Sequence, residues 1–208
     1  MTTAKRTRWE LKLLGLFAYP ANIGLGGFAA FLLALPLVTL LPAAIALARA
    51  FELWRSNGDD AVFTNTFREF AATWRRSIGV GILAAVSVVL LTVDGLFLSA
   101  QLTSGSAGIA VLFAAAAIPV AAVVGMALLA IPVAAARDRA GTMREWLALA
   151  AHLIAVMPLR SLFLLVFTVA FLLTCLLLPT VLPFVGLSLP VFFALITWRT
   201  VPTGASEP

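Results

Sequence analysis

Charged residues are scarce in this sequence. They make up 11% of its 208 residues, whereas hydrophobic residues make up 62% and the mean hydropathy is +1.09. Because a soluble domain usually carries about a quarter charged residues, a soluble globule of this composition could not cover its surface. The sequence therefore predicts a single integral membrane domain over residues 1–208, with the lipid bilayer as its first partner.

Cysteine and histidine are almost absent as well. The single cysteine, Cys175, excludes a disulfide within the chain, and the single histidine, His152, leaves no zinc site with the usual ligands. The sequence also lacks the short motifs of metalloproteases, serine hydrolases and phosphate-binding loops. We therefore predict no cofactor, no metal and no catalytic residue. We interpret Cys175 as a small hydrophobe and His152 as a residue at a polar helix edge.

The net charge of +5 does not indicate nucleic-acid binding, because the basic residues flank apolar runs. Those runs are too long and too apolar for soluble helices, and lipid cannot satisfy an open sheet edge. We therefore predict an all-α bundle of about five spans with two amphipathic helices on its cytoplasmic side. The predicted spans are residues 22–41, 77–97, 107–132, 161–178 and 181–198.

Basic residues set the predicted topology. The connections 42–76 and 133–160 are rich in arginine and belong in the cytoplasm, whereas the connections near 99–106 and 179–183 are uncharged and belong outside. Arg199 places the C-terminus in the cytoplasm, and five spans then place the N-terminus outside. Residues 1–21 are predicted to be an interfacial segment, although a dip into the membrane and back is an alternative. Residues 200–208 are predicted to be a disordered tail.

Each basic connection contains an amphipathic helical pattern. In the first, aromatic residues recur every three or four positions and Arg68, Glu69 and Arg75 lie off that face. In the second, Arg144 and Glu145 lie off a similar apolar face. The two predicted apolar faces are Phe63, Phe67, Phe70 and Trp74, and Met143, Trp146, Ala150 and Leu153. We expect both helices to lie at the cytoplasmic interface or under the bundle.

A short similarity between these connections suggests an internal repeat. The stretch TFREF (66–70) parallels TMREW (142–146), and each follows a span that ends in proline and alanine. With the topology above, the two units would be parallel repeats. Their shared interface would then lie between the second and fourth spans or near them. We expect Leu83, Val86, Phe163 and Phe167 to fill it.

A few residues within the spans are candidates for function or packing. Asp94 is an acid in an apolar stretch, which indicates either a polar site in the membrane or a residue near the outer end of its span. Pro36, Thr39 and Pro42 predict a kink, with Thr39 bonding a carbonyl that Pro42 frees; a pivot is the alternative. Small residues at four-residue spacing predict close helix packing. These stripes are Ser77, Gly81 and Ala85, and Ala117, Ala121 and Gly125.

One stretch of the chain resembles a known family. The sequences LPLVTLLPAAIAL (35–47), FTNTFREF (63–70) and WRRS (74–77), with Asn22 opening the first span, are similar to the YesL-like family of small bacterial membrane proteins. The resemblance covers residues 22–94. It implies a location in the bacterial inner membrane and a link to carbohydrate uptake beside sugar importers. It implies no mechanism and no catalytic residues.

These observations favour a non-enzymatic accessory protein that binds sugar-transporter components. Its docking face would be the cytoplasmic amphipathic helices, with Trp74, Arg75, Arg144 and Glu145 among the candidate residues. A small-solute transporter or channel is the alternative, which a polar cavity at mid-membrane depth would favour. An enzyme would need clustered titratable groups near the surface, for example Glu69, Arg75 and Glu145. The sequence leaves a homo-oligomer open.

Overall fold

The computed structural model describes residues 8–103 and 107–199, and within them the regular structure is entirely helical. Hydrophobic runs flanked by turn-forming residues give helices of very different lengths. The helices are Arg8–Ala34 (α1), Leu40–Asn57 (α2), Val62–Thr103 (α3), Ala107–Arg137 (α4), Met143–Val156 (α5), Pro158–Leu177 (α6), Leu182–Val185 (α7) and Ser188–Trp198 (α8). The predicted disordered tail lies outside the described residues.

Five segments of the described chain are long and apolar enough to cross a membrane. They are Phe17–Ala34, Leu37–Asn57, Val62–Gln101, Val111–Arg137 and Pro158–Leu177, and a shorter apolar segment, Leu182–Trp198, follows them. A span needs about 20 apolar residues. The predicted all-α membrane bundle is thus confirmed, but several predicted spans are displaced along the chain.

The first predicted span, residues 22–41, is wrong, because the chain reverses within it. Proline has no N–H to donate and disfavours helix at the residue before it, so α1 ends at Ala34, just before Pro36. A 3₁₀ turn follows, in which the Thr39 hydroxyl donates to the Leu33 and Pro36 carbonyls at 2.5 and 2.6 Å. Thr39 therefore bonds carbonyls at the end of α1, not one freed by Pro42. Pro42 lies in the first turn of α2, where its missing N–H costs nothing.

The reversal makes α1 and α2 a hairpin and changes the predicted topology. The Tyr19 ring lies 4.9 Å from that of Trp54, and the Asn22 amide donates to Asp60 at 3.3 Å. The start of α1 thus lies beside the α2–α3 connection (58–61). The prediction that these regions lie on opposite sides of the membrane is wrong; the missed crossing is α2. On the same side as the arginine-rich connections, the basic residues Arg8 and Lys12 at the start of α1 agree with the positive-inside rule.

We call this side of the bundle the inner end, formed by the connections 58–61 and 138–142, and the opposite side the outer end. The C-terminal end of α8 also lies at the inner end, because Arg137 donates to the Trp198 carbonyl. α1 runs without a break through Pro20. The interfacial placement of residues 1–21 stays a prediction, and residues 1–7 lie outside the described part.

Helix α2 is the centre of the bundle and packs against α1, α3, α4 and α8. Alanines at 43, 44, 46, 48 and 50 are all buried, and Ile45, Leu47 and Phe51 have no exposed surface. Small side chains let neighbouring helices approach closely. The prediction that residues 42–57 belong to a solvated cytoplasmic connection is therefore wrong.

Helix α3 joins the first predicted amphipathic helix and the second predicted span into one helix of 42 residues. Its protein-facing stripe is small and polar: Asn65, Thr66, Thr73 and Ser77 are buried, while Phe63 and Trp74 are 36% and 38% exposed. Phe67 and Phe70 are partly buried, so the other helices cover the aromatic face only in part. The expectation that the spans or lipid bury this face therefore stays a prediction for its lipid side. The small stripe at Ser77, Gly81 and Ala85 does face the bundle, as predicted.

The second amphipathic helix, α5, is confirmed with its predicted face. Trp146, Ala150 and Leu153 are buried in the core and Met143 packs against it. α5 ends at Val156, because Pro158 begins α6. In the second small stripe, Gly125 lies against α6: a Cβ atom there would meet Leu165 Cδ1 at 2.6 Å.

The predicted interface between the second and fourth spans is wrong. Leu83, Val86 and Phe163 are 63%, 48% and 72% exposed, because α2 and α4 occupy the centre instead. The two five-residue matches also differ in register. Thr142 is the N-cap of α5, whereas Thr66 is the fifth residue of α3 and bonds the Val62 carbonyl. The predicted equivalence of the two stretches is therefore not found.

Candidate functional site: a charged clamp at the inner end

An arginine inside the central helix organises the inner end. Arg49 lies in α2, eight residues before its last residue, or about 12 Å from that end along the helix axis. Only 5% of its side chain is exposed. A buried charge without partners costs several kcal/mol, so the surroundings of Arg49 must satisfy its guanidinium group.

The first partners of Arg49 are one backbone carbonyl in the last turn of α4 and one just after that helix. Its Nε donates to the Ala135 carbonyl at 2.9 Å, and one terminal nitrogen donates to the Arg139 carbonyl at 3.0 Å. The last carbonyls of a helix have no partner within the helix and carry a partial negative charge. Arg49 therefore caps α4 from a neighbouring helix.

The second partner is Glu69, from the buried stripe of α3. Its carboxylate lies 3.7 Å from an Arg49 terminal nitrogen, and its other oxygen accepts a hydrogen bond from Arg139. One carboxylate thus joins arginines from α2 and from the α4–α5 connection. We call Arg49, Glu69 and Arg139, with the ring of Trp146, the charged clamp.

Trp146 closes the clamp from α5. The Arg49 guanidinium lies 5.1 Å from the centre of its ring, a cation–π distance. The fully buried indole donates from Nε1 to the Asp138 carbonyl at 2.8 Å, which fixes the ring. The Asp138 carboxylate accepts from the Gly141 backbone N–H at 2.9 Å and holds the turn that leads into α5.

A capping box starts α5. The Glu145 carboxylate accepts from the Thr142 backbone N–H at 2.6 Å and from its hydroxyl at 3.0 Å. The Thr142 hydroxyl in turn accepts from the Glu145 backbone N–H. Hydrogen bonds first from the Thr142 backbone and then from its side chain lower the pKa of Glu145 below its usual value.

A second polar group lies in the connection between α2 and α3. Asp60 accepts from the Trp54 indole at 3.0 Å and from Asn22, so it ties the start of α1 to the end of α2. Asp59 accepts from the Asn65 amide at 2.7 Å and from the Ala61 backbone N–H. These bonds, the Asn65 bond first, lower the pKa of Asp59.

The structure thus separates the candidate residues into groups. Glu69 belongs to the clamp and Asn22 to the second polar group, while Pro36, Thr39 and Pro42 form the reversal at the outer end. The remaining inner-end candidates are exposed rather than gathered into one site. They are Arg68, Trp74, Arg75, Arg144 and Glu145.

Asp94 belongs to none of these groups. It is exposed on α3, 32 residues after the first residue of that helix and therefore about 48 Å from it along the axis. It lines a cleft of about 280 Å³ with Phe97, Leu98, Phe113 and Ala117. The clamp and Asp94 thus lie toward opposite ends of the bundle.

Sequence reasoning missed Arg49, Arg139 and Trp146 as members of one site. A signal for Arg49 was present, since it interrupts an apolar helical pattern from Pro42 to Trp54 and was assigned to a loop instead. An arginine within an apolar helix is expected to find buried partners. The identity of those partners depends on how the helices pack, which the local pattern does not contain.

The clamp is an electrostatic contact between α2, α3 and the α4–α5 connection. Its one carboxylate contacts two arginines, and Arg49 also donates to two backbone carbonyls. Within residues 8–103 and 107–199, His, Cys, Asp and Glu side chains do not gather in threes where a metal could be held. Cys175 is buried near the end of α6, and His152 is exposed on α5.

Comparison with known proteins gives one match. Residues 13–95 match the model of a family described as protein of unknown function DUF624. This stretch contains Arg49 and Glu69, whereas Arg139 and Trp146 lie beyond it. Neither the curated proteins nor the solved structures contain a match to the chain.

Proposed function

We propose that this multi-pass membrane protein is a non-enzymatic accessory protein of the bacterial inner membrane that binds sugar-transporter components. The observation that carries the proposal is the charged clamp. Its charges are satisfied by one another and by helix ends, so they do not line a hydrated route through the bundle. A protein that moves a polar solute needs such a route.

An apolar cavity at the middle depth of the bundle, between α2, α4, α6 and α8, supports the same proposal. Its lining is apolar except for Thr168, and Asp94 does not reach it. A sugar would lose hydrogen bonds to water there without replacing them. The cavity is therefore a poor binding site for a carbohydrate, which argues against the alternative of a sugar transporter.

The absence of enzymatic activity is part of the proposal. Glu69 is held in the clamp, Glu145 caps α5, and the Arg75 guanidinium lies 5.7 Å from the centre of the Trp74 ring. Glu69, Glu145 and Arg75, the titratable groups considered for an active site at the inner surface, thus each have a separate structural partner. A general acid or base must instead be within hydrogen-bond reach of its substrate.

The docking face is the inner surface of α3 and α5. Arg68, Arg75, Arg76 and Arg144 are exposed there, beside the half-exposed aromatic rings of Phe63 and Trp74. Arginine and large aromatic residues are enriched in the energetically important parts of interfaces. The partner surface that fits is acidic with apolar pockets. The identity of the partner as a sugar importer rests on the family resemblance alone.

Site-specific photocrosslinking in native membranes tests the docking face. A photoreactive amino acid replaces Arg68 or Arg144, and the matched control replaces Leu112, which is 73% exposed on α4. We expect the two inner-end positions to crosslink to the membrane subunit of a sugar importer and the control to crosslink to lipid. Equal crosslinking from all three positions would contradict the docking face.

Reconstitution separates the accessory protein from the transporter. The purified protein in liposomes should not take up labelled sugars faster than empty liposomes do, with or without an imposed ion gradient. Saturable uptake that is lost in Arg49→Met would contradict the accessory role and favour the transporter.

A further inference from the structure

The mid-depth cavity is lined by one hydroxyl group, that of Thr168, whose hydrogen bonding differs from that of other hydroxyl groups on α6. Ser161 and Thr174 on α6 each donate to the carbonyl four residues earlier, both at 2.9 Å. Thr168 lies between them and is 7% exposed, yet its Oγ1 has no hydrogen-bond partner. The other such buried side-chain atom in the described residues, Trp198 Nε1, lies outside the cavity lining. Buried polar atoms are nearly always paired, so the unpaired Thr168 hydroxyl offers a hydrogen-bonding group to a molecule in the cavity.

The cavity around Thr168 has the size and lining of a binding site for a small apolar molecule. It is a partly open cavity of about 250 Å³ between α2, α4, α6 and α8. A dry apolar cavity of ~150 Å³ is already large enough to bind benzene. Representative lining residues are Ala44, Gly125, Leu165, Leu172, Leu187 and Val191.

The cavity opens toward the surface of the bundle on the α6 side. Two of its lining residues there, Val169 and Leu172, are 49% and 37% exposed. In a membrane this surface faces lipid, because α6 is an apolar helix of spanning length. A ligand would therefore enter sideways from the bilayer and not from water.

From these observations we infer that the cavity binds a small membrane-soluble amphiphile: a medium-length alkyl chain with one hydrogen-bonding oxygen that pairs with Thr168. The depth of Thr168 argues against a phospholipid ester as that oxygen. Thr168 is the eleventh of 20 residues in α6, so it lies about 15 Å from either end of the helix. The ester groups of a phospholipid lie at the membrane interface, about 15 Å from the bilayer centre.

A matched pair of photoreactive probes tests this site in the full-length protein in liposomes. One probe is a medium-chain alcohol that carries a diazirine, and the other is the alkane of the same length. We expect the alcohol to label cavity residues of α6, and excess unlabelled alcohol to prevent the labelling. Thr168→Val keeps the shape of the side chain and should lower labelling by the alcohol by roughly threefold to tenfold, the worth of one hydrogen bond. Labelling by the alkane should not change.

Thr174→Val is the control, because that hydroxyl is paired within α6 and does not line the cavity. It should label like the wild type. Ala44→Leu fills the cavity from α2 and should abolish labelling by both probes; if it fails to fold, the Thr168 and Thr174 variants decide. Equal labelling of wild type and Thr168→Val by the alcohol would overturn the inference. Labelling spread over the lipid-facing side of α6 would also overturn it. The same holds if a phospholipid with a diazirine in its tail displaces the alcohol from the cavity.

Discussion

Two helices with similar sequence patterns, the first part of α3 and α5, bury opposite kinds of surface. In α5 the apolar face is buried in the core, with Trp146 at its centre. In α3 the aromatic face is exposed at Phe63 and Trp74 and only partly buried between them. The small polar stripe through Thr66, Glu69 and Thr73 is buried instead. The difference follows from their neighbours. α5 lies beneath α4, whereas α3 packs along α2, whose many alanines favour close contact.

The comparison shows what an amphipathic pattern means in a membrane protein. In water, the apolar face of a helix turns toward the protein core. A membrane offers a second apolar environment, so the same face can turn toward lipid while small and polar residues mediate helix contact. Variants of these helices and of the contacts beside them test this contrast. Cys175 is buried and is the only cysteine, so its reactivity with a thiol reagent during unfolding provides a built-in measurement.

The largest difference is expected between two tryptophans, Trp146, which is buried, and Trp74, which is exposed. Trp146→Ala should lower the free energy of unfolding by about 3–5 kcal/mol, because it opens a cavity in the core and removes the ring under Arg49. Trp74→Ala should cost much less, since the Trp74 side chain already faces outward. Unfolding in detergent, followed by Cys175 labelling, gives both values. Equal losses would mean that the two aromatic faces are equivalent after all.

The next test concerns the two glutamates at matching positions of the TFREF and TMREW stretches. Glu69→Ala leaves Arg49 buried without its carboxylate and should lower the free energy of unfolding by about 3–5 kcal/mol. Glu145→Ala removes only an exposed cap and should have a clearly smaller effect. The double variant Arg49→Met, Glu69→Leu should regain part of the loss, because it removes both charges. A larger loss from Glu145→Ala than from Glu69→Ala would contradict the clamp.

Neighbouring glycines of α3 test the buried stripe. A Cβ atom at Gly81 would lie 2.5 Å from the Val38 carbonyl oxygen and 2.9 Å from Pro42, whereas one at Gly79 would meet no atom within 4 Å. Gly81→Ala should therefore destabilise the protein by about 1–3 kcal/mol. Gly79→Ala should be neutral or stabilise it by up to about 1 kcal/mol through helix propensity. If both variants unfold like the wild type, the close approach of the reversal to α3 is not present.

These contrasts also explain how far the sequence could predict the structure. The all-α membrane bundle, the helix α5 and the small stripe on α3 follow from local composition and period, and all were predicted. The reversal at Pro36 was present in the sequence but was interpreted as a kink, because a proline alone does not distinguish bending from turning back. Because of that one error, the predicted topology lacked the crossing of α2 and placed the N-terminus on the opposite side of the membrane from the α2–α3 connection.

The candidate site was harder to predict than the fold. Glu69 and Asn22 were singled out, but the partners of Arg49 come from residues far along the chain, including Ala135 and Arg139. Which face of α3 turns inward is decided by the competition between lipid and protein for its aromatic side. The partners of Arg49 and the inward face of α3 both depend on contacts between distant parts of the chain, so no short stretch of the sequence determines them.

The smallest effect concerns the charge of Glu145 in the capping box. Hydrogen bonds from Thr142 lower the pKa of Glu145 in the folded protein, below its unfolded value of about 4.3. A carboxyl group with a lowered folded pKa stabilises the protein above its unfolded pKa, and this contribution is lost as the pH falls through the folded pKa. Glu145→Gln keeps an acceptor for the box but removes the charge near the N-terminus of α5. It should thus unfold at a slightly lower temperature than the wild type at neutral pH.

The difference between the two proteins should shrink as the pH falls below about 4 and vanish once the wild-type carboxyl is protonated. Thermal unfolding followed by circular dichroism from pH 7 down to pH 3 measures this difference. Other carboxyl groups, including Asp59 with its own lowered pKa, titrate in both proteins, so their contributions cancel. A difference that stays constant over the whole range would mean that shape and not charge distinguishes the two side chains. In that case α5 would start without help from its N-terminal acid, and its buried Trp146 face alone would hold it in place.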